Sequence, residues 1–183
     1  MKSLLIIAVI VLVLLLIIWN VYNQLVKAKN IVSEAFSGID VQLKKRFELI
    51  PNLIEAVKGY NSHEAHTLST IVASRNPSGK GIDEMKTNDS SITSELRSFR
   101  ISVEAYPDLK ANTQFLLLME NLSTVENELA MARRYYNGAT RDLNIKMGVF
   151  PGVLFAPILG FKKSAFYEIE EEQKVVPTLN MNS

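Results

Sequence analysis

Residues 4–19 read LLIIAVIVLVLLLIIW, a run without a single charged or strongly polar side chain. Asn20 alone separates this run from further apolar residues. A helix needs about 20 mostly apolar residues to cross a hydrocarbon core that is about 30 Å thick. Trp19 and Tyr22 lie at the end of the run, where aromatic side chains collect at a membrane–water interface. The sequence therefore predicts a transmembrane anchor over residues 1–22.

Two other interpretations of this run stay open. It could be a cleaved signal peptide with Lys2 in the charged leading region, or the core helix of a soluble protein. The run is long for a signal peptide, and residues 20–23 (NVYN) do not form the small-residue cleavage site that such a peptide needs. The uncleaved anchor is therefore the favoured interpretation.

Basic residues flank the run unequally and predict its orientation. Lys2 precedes it, whereas Lys27, Lys29 and the triplet 44–46 (KKR) follow it. Lysine and arginine near a span favour the cytoplasmic side. We expect a single-pass protein of a cell membrane, with the N-terminus outside and the remaining chain in the cytoplasm.

The composition of the whole chain excludes several classes of protein. With 20 basic and 19 acidic residues the chain has almost no net charge, unlike a typical nucleic-acid-binding protein. There is no cysteine, so disulfides and thiolate metal sites are excluded. Only 8 glycines and 6 prolines are present, which favours long helices over a sheet with many turns.

Apolar residues recur at helical steps of three and four after the anchor. The first series runs from Val32 to Ile50, and Pro51 then either kinks a continuous helix or separates two helices. Turn-forming residues over Arg75–Ser91 predict a loop. A break is expected at Tyr106-Pro107, and a long helix from residue 111 should end near Gly148–Gly152.

These segments predict an all-α fold in which an N-terminal transmembrane helix is followed by an antiparallel four-helix bundle. The bundle should occupy residues 23–167, and residues 168–183 should form a flexible tail. In such a bundle the helix that ends near Met147 returns to the membrane.

The segment from Phe150 to Tyr167 is apolar, aromatic and interrupted by proline. It could close the open end of the bundle as a hydrophobic lid, or it could contact the membrane or a partner. For the second alternative the candidate contact residues are Phe150, Phe155, Phe161, Lys162 and Lys163, the two lysines meeting anionic head groups.

Over roughly residues 20–167 the chain resembles the LemA family. The stretches that carry the resemblance are Tyr22-Asn23-x-Leu25-Val26, residues 39–53 (IDVQLKKRFELIPNL), Val57-Lys58-Gly59-Tyr60, His63-Glu64, residues 105–112 (AYPDLKAN), Glu126-Asn127, residues 132–137 (ARRYYN), Phe150-Pro151 and Gly160-Phe161. The long central block is highly specific.

The resemblance implies a bacterial protein with one span in the inner membrane and a cytoplasmic four-helix bundle. It implies no enzymatic activity and no cofactor. Some family members are linked to membrane organisation, and some relatives to membrane metalloproteases, so a membrane metalloprotease is a partner that the resemblance implies. Membrane lipids and other copies of the chain are predicted partners on separate grounds, namely the anchor and the apolar segment 150–167.

A metal-dependent module is the alternative function, based on His63, Glu64 and His66. The two histidines are three residues apart, whereas the zinc-binding helix motif His-Glu-x-x-His separates them by four. The chain has no other histidine. Histidines on a surface or at a helix end explain this pattern more simply, so no metal, cofactor or catalytic residue is predicted.

Asp40 and the adjacent arginines Arg133 and Arg134 form the other candidate group. Asp40 could pair with Lys44 one helical turn away. We favour instead a structural network in which Asp40 reaches Arg133 or Arg134 across the bundle and sets its register. The favoured function is accordingly a membrane-anchored scaffold or adaptor that assembles with itself and contributes to membrane organisation or partner recruitment.

Overall fold

The computed structural model describes residues 1–58 and 82–168, and they form five helices. These are α1 (Lys2–Lys58), α2 (Ile82–Val103), α3 (Pro107–Lys110), α4 (Thr113–Gly148) and α5 (Gly152–Ile158). No strand occurs within these two ranges. The expected all-α class is confirmed, with a long apolar N-terminal helix that leads into helical-bundle packing.

Helix α1 does not end at Pro51 but passes through it. A proline inside a helix removes one backbone hydrogen bond and crowds the preceding turn. Ile50 and Leu53, on either side of it, are fully buried in the core, and this packing offsets the local cost. Of the two alternatives, one continuous helix is therefore correct.

The loop expected over Arg75–Ser91 is wrong for residues 82–91, which belong to α2. Residues 75–81 lie outside the described residues. The expectation failed because Asp89, in the middle of the polar stretch, is buried and forms an ion pair with Arg46 at 2.8 Å. Thr93 accepts a further hydrogen bond from Arg46 at 3.1 Å. These contacts fix a helix that local propensity does not favour.

The chain divides into two compact units. Unit A contains residues 1–45 and 124–167, and unit B contains the described residues 46–58, 82–123 and 168. In unit A, α1 and α4 run antiparallel. Lys45 pairs with Glu128 at 3.3 Å, and the Phe36 and Tyr136 rings lie 5.8 Å apart, so residue numbers rise along one helix as they fall along the other.

The interface of unit A is a narrow apolar seam. On α1 the buried side chains alternate in steps of four and three, which is the spacing of a coiled-coil seam, and they are Val21, Leu25, Ala28, Val32, Ala35 and Ile39. On α4 the buried apolar side chains of this unit are Val125, Leu129, Tyr136, Leu143 and Met147.

The apolar run at the start of α1 is exposed along its length. An 18-residue window within this helix has a mean hydropathy of 3.3, and only 6% of it is buried. The interpretation as a core helix is therefore wrong, because a core helix would be covered by the rest of the protein. By length and composition the helix qualifies as a membrane anchor or a signal sequence.

Unit B has its own core, built from α1, α2, α3 and α4. Its buried residues are Ile50, Leu53, Val57, Leu96, Phe99, Val103, Leu109, Phe115 and Leu122. The Phe99 and Phe115 rings meet edge to face at 6.4 Å. The expected break at Tyr106-Pro107 is confirmed, because Pro107 starts α3. The side-chain oxygen of Asn112 then caps α4 by accepting a hydrogen bond from the Phe115 N–H at 3.1 Å.

The Arg46–Asp89 pair leads to a prediction about stability. Both side chains are almost completely buried, so Asp89→Ala would leave the guanidinium in the core without its carboxylate. We expect a loss of about 3–5 kcal/mol in the free energy of unfolding, measured by denaturant titration in mild detergent. The control is Asp83→Ala on the same helix, because the exposed carboxylate of Asp83 pairs with Lys86 at the surface. We expect this variant to lose less than about 1 kcal/mol. Equal losses in the two variants would contradict this assignment.

Candidate functional site

The end of α4 in unit A is followed by a tight reversal of the chain. The helix stops at Gly148, the Phe150-Pro151 peptide bond is cis, and α5 begins at Gly152. Gly152 lies so close to the preceding helix that a Cβ atom there would overlap the backbone carbonyl oxygen of Lys146. The reversal therefore requires glycine at this position, and it confirms that the long helix ends near Gly148–Gly152.

Helix α5 has one buried face and one exposed face. Ala156 is completely buried, and Phe155 is half-buried. Val153, Leu154 and Ile158 are exposed, with Ile158 at 80%, and Phe150 just before the helix is exposed at 78%. These four side chains form an apolar patch, here called the α5 patch, on the outside of unit A. Soluble monomers rarely leave several large apolar side chains together in water.

A glycine ends α5 and turns the chain into an extended segment. Gly160 has a φ of 78°, a left-handed conformation that glycine adopts without steric cost. The Phe161 N–H donates to the Ala156 carbonyl oxygen at 3.0 Å, and the Gly160 N–H donates to that of Pro157 at 3.1 Å. This pair of bonds is a Schellman motif. It directs residues 161–167, here called the strap, back along α4.

Two asparagines of α4 hold the backbone of the strap. The Asn144 side chain donates to the Ser164 carbonyl oxygen at 2.9 Å and accepts from the Ser164 N–H at 3.0 Å. Asn137, two helical turns earlier, makes the same two bonds with Tyr167, at 3.1 and 2.7 Å. The side-chain amide thus replaces the partner strand that an extended backbone usually needs.

Aromatic contacts fix both ends of the strap. At its start, the Phe161 ring meets Tyr22 edge to face at 6.0 Å, and the ammonium of Lys29 lies 6.0 Å from the same ring. At its end, Tyr167 is buried, and its ring lies 6.3 Å from that of Tyr136. The strap therefore contacts both α1 and α4, while the neighbouring α5 patch stays exposed.

A cavity of about 240 Å³ lies between α1 and the reversal after α4. Its walls combine apolar side chains with the polar residues Asn20, Gln24 and Lys146. Gln24 donates a hydrogen bond to Asn20 at 3.1 Å, so the two amides form one polar edge. The apolar wall includes Ile17 and Val149. The cavity is thus amphipathic and opens at the level where the apolar run of α1 ends.

The predicted contact residues differ in exposure. Phe150, Lys162 and Lys163 are exposed, whereas Phe155 and Phe161 are half-buried. Contact of these residues with lipid or a partner remains a prediction, and the exposed α5 patch adds Val153, Leu154 and Ile158 to the candidates.

The structure gives the positions of the three residues in the predicted network, Asp40, Arg133 and Arg134. Asp40 is half-buried on α1, and Arg133 is half-buried on α4 with its guanidinium 5.9 Å from the Tyr167 ring. Arg134 is exposed and donates to the carbonyl oxygen of Ala130 in its own helix at 3.3 Å. Pairing of Asp40 with either arginine remains a prediction. The buried ion pair found in unit B uses Arg46 and Asp89 instead.

The candidate metal ligands His63, Glu64 and His66 lie outside the described residues. Within residues 1–58 and 82–168, no three acidic or histidine side chains lie together as a metal site would require.

Sequence reasoning missed the roles of Asn137 and Asn144. The signal was present: two asparagines seven residues apart lie on the same side of an otherwise amphipathic helix. An uncharged polar pair with this spacing, close to a buried seam, indicates a backbone that needs hydrogen-bond partners.

The hold of Asn137 and Asn144 on the strap can be tested by proteolysis. Trypsin needs a locally unfolded segment, so we expect cleavage after Lys162 and Lys163 to require that the strap leaves α4. Asn137→Ala with Asn144→Ala removes four hydrogen bonds, each worth about 1 kcal/mol net. We expect cleavage there to accelerate at least about tenfold, as followed by mass spectrometry. The control is Asn127→Ala, an exposed asparagine on the same helix, and an equal acceleration in the control would contradict the assignment.

Two comparisons with known protein sequences give the same family name. The model of the LemA family matches residues 35–181. Protein LemA of Metamycoplasma hominis is 29% identical over 157 residues, which cover 84% of this chain and 71% of that protein. The match includes most of α1 after the apolar run, together with α4, α5 and the strap. The chain described here belongs to the LemA family.

Proposed function

We propose that this protein is a membrane-anchored scaffold. Residues 1–22 of α1 cross the membrane once, the helical bundle lies in the cytoplasm, and neighbouring copies assemble side by side along the inner face of a bacterial cell membrane. The assembled bundles organise the membrane or recruit partners to it. The proposal assigns the protein no catalytic step.

The main support for the proposal is the position of the α5 patch, which lies beside the part of α1 where the apolar run ends. Residues 149–152, next to α5, line the same cavity as Ile17 to Leu25 of α1. Trp19, where the apolar run ends, falls within that part of α1. A bilayer that covers the run would therefore place the exposed side chains of α5 in its interfacial region, where apolar and aromatic groups are stabilised.

The orientation follows from the lysine distribution. Lys27 and Lys29 come directly after the run, where basic residues favour retention in the cytoplasm, and only Lys2 precedes it. The anchor is supported first by the length and composition of the apolar run. The exposed α5 patch at the same level gives independent support, because a cleaved signal would leave that patch in water.

Self-assembly is the second part of the proposal. Confinement to a membrane raises the effective concentration of the chain, so weak lateral contacts between copies gain avidity. The formal net charge of +1 causes little electrostatic repulsion between copies. The α5 patch is the surface that supports contact with lipid and with the neighbouring copy.

The test combines Leu154→Ser with Ile158→Ser. Both side chains are exposed, so the circular dichroism spectrum should keep its helical content. We expect two differently tagged copies to co-purify from membranes at least about fivefold less than with the unchanged protein, and light scattering in mild detergent to shift toward the monomer mass. The matched control is Val41→Ser with Met131→Ser, which removes two other exposed apolar side chains of unit A.

Two results would refute the scaffold. One is an unchanged protein that is already a monomer in membranes and in mild detergent. The other is an equal loss of co-purification in the control pair, which would show that any exposed apolar side chain has the same effect.

A further inference from the structure

Acidic residues are absent from the two parts of the chain that meet near the end of the apolar run. The chain contains 19 acidic residues, yet none falls within residues 1–33 or 143–167. The same stretches contain six lysines, Lys2 before the apolar run and five after it. Contacts within unit A bring the two stretches together, since Phe161 meets Tyr22 and Lys29.

The five lysines after the run are here called the lysine collar, and they are Lys27, Lys29, Lys146, Lys162 and Lys163. All five are exposed. Among the residues that the structure describes, none of their ammonium groups forms an ion pair with a carboxylate, whereas Lys45, Lys86 and Lys110 each do. Positive charge at the collar is therefore not neutralised by described neighbours.

Membrane topology alone does not account for the collar. The positive-inside preference acts on basic residues within about 15–20 residues of a span, and acidic residues contribute little to it. Lys146, Lys162 and Lys163 lie far beyond that window in sequence and reach the collar only through the fold. The positive-inside preference likewise does not explain why acidic residues are absent from both stretches.

With the apolar run inserted in a bilayer, the collar would lie at the height of the lipid head groups. Lys27 and Lys29 follow Trp19 by eight and ten residues, which corresponds to about 12 and 15 Å along a helix. The flexible lysine side chains extend several ångströms toward a membrane surface. Attraction between basic residues and an anionic surface acts over about one Debye length, near 8 Å at physiological salt.

The cavity in unit A gives this charge a defined place of contact. Lys146 belongs both to the collar and to the wall of the cavity that the Asn20–Gln24 amide pair also lines. Ammonium and amide N–H groups suit a phosphate oxygen. Ile17 and Val21 continue the wall toward the apolar run, which suits the glycerol and first methylenes of an acyl chain.

From these features we propose that the lysine collar and this cavity bind an anionic phospholipid of the membrane in which α1 is inserted. The phosphate is held by Lys146 with the Asn20–Gln24 edge, and the other collar lysines attract the surrounding anionic head groups. The inference rests on the anchor role proposed above. Lipid is favoured over free phosphate because most of the cavity wall is apolar and continuous with the exposed run of α1.

Trp19 makes the proposal directly measurable. It is the only tryptophan of the chain, it is exposed, and its neighbour Asn20 lines the cavity. The full chain is reconstituted in phosphatidylcholine vesicles that contain either brominated phosphatidylglycerol or brominated phosphatidylcholine, and quenching of Trp19 fluorescence reports the lipid next to it. We expect the relative binding constant to favour the anionic lipid at least about threefold and to fall toward one in 1 M salt.

Matched variants separate the collar from general charge. Lys162→Gln with Lys163→Gln, and Lys146→Gln alone, should each reduce the preference for the anionic lipid by about half or more. The control is Lys44→Gln with Lys45→Gln, an adjacent lysine pair that follows Trp19 on α1 by about 38 Å, and it should leave the preference unchanged.

Four results would overturn the lipid site. They are equal quenching by the two brominated lipids, an equal effect of the control pair, a preference that survives in both collar variants, and loss of the preference in 10 mM inorganic phosphate at constant ionic strength. The last would show that the site takes free phosphate. Absence of quenching by either lipid would refute the anchor as well, so failure of the lipid site alone is distinguishable from failure of the proposed function.

Discussion

The antiparallel seam between α1 and α4 is the constraint on which the rest of unit A depends. Its α1 side repeats in steps of four and three from Val21 to Ile39, directly after the exposed apolar run on the same helix. The α4 side fixes where that helix ends, and hence where the chain reverses at Gly152. If α4 were shifted along α1 by one helical turn, about 5.4 Å, α5 would no longer lie beside the end of the apolar run.

The strap shows how such a seam is covered without another helix. An extended segment brings backbone N–H and carbonyl groups that must find hydrogen-bond partners when they are partly buried. Asn137 and Asn144 supply both a donor and an acceptor to that backbone, while Tyr167 fills the space next to Tyr136. In unit A, side chains of α4 therefore provide the hydrogen-bond partners for the backbone of the strap. The outer side of unit A remains available to α5 and the lysine collar.

The helical class could be predicted from sequence periodicity, because the residues on the buried face of a helix recur every three or four positions. The break at Tyr106-Pro107 and the end of α4 followed from the backbone limits of proline and glycine. The first turns of α2 could not be predicted, because no feature of the sequence near Asp89 indicates that its side chain forms a buried ion pair with Arg46. Such pairs depend on which segments meet in the fold. The strap contacts were hidden for the same reason, although the spacing of Asn137 and Asn144 was visible.

The central claim is that α5 lies at the membrane surface, and an environment-sensitive label measures it most directly. The chain has no cysteine, so a single cysteine can replace Ile158 on α5 or Met131 on α4, both exposed, and carry a nitrobenzoxadiazole group. In anionic lipid vesicles the account predicts a blue-shifted emission, quenched by spin-labelled lipid, at position 158, and water-like emission at position 131. Water-like emission at both positions would contradict it.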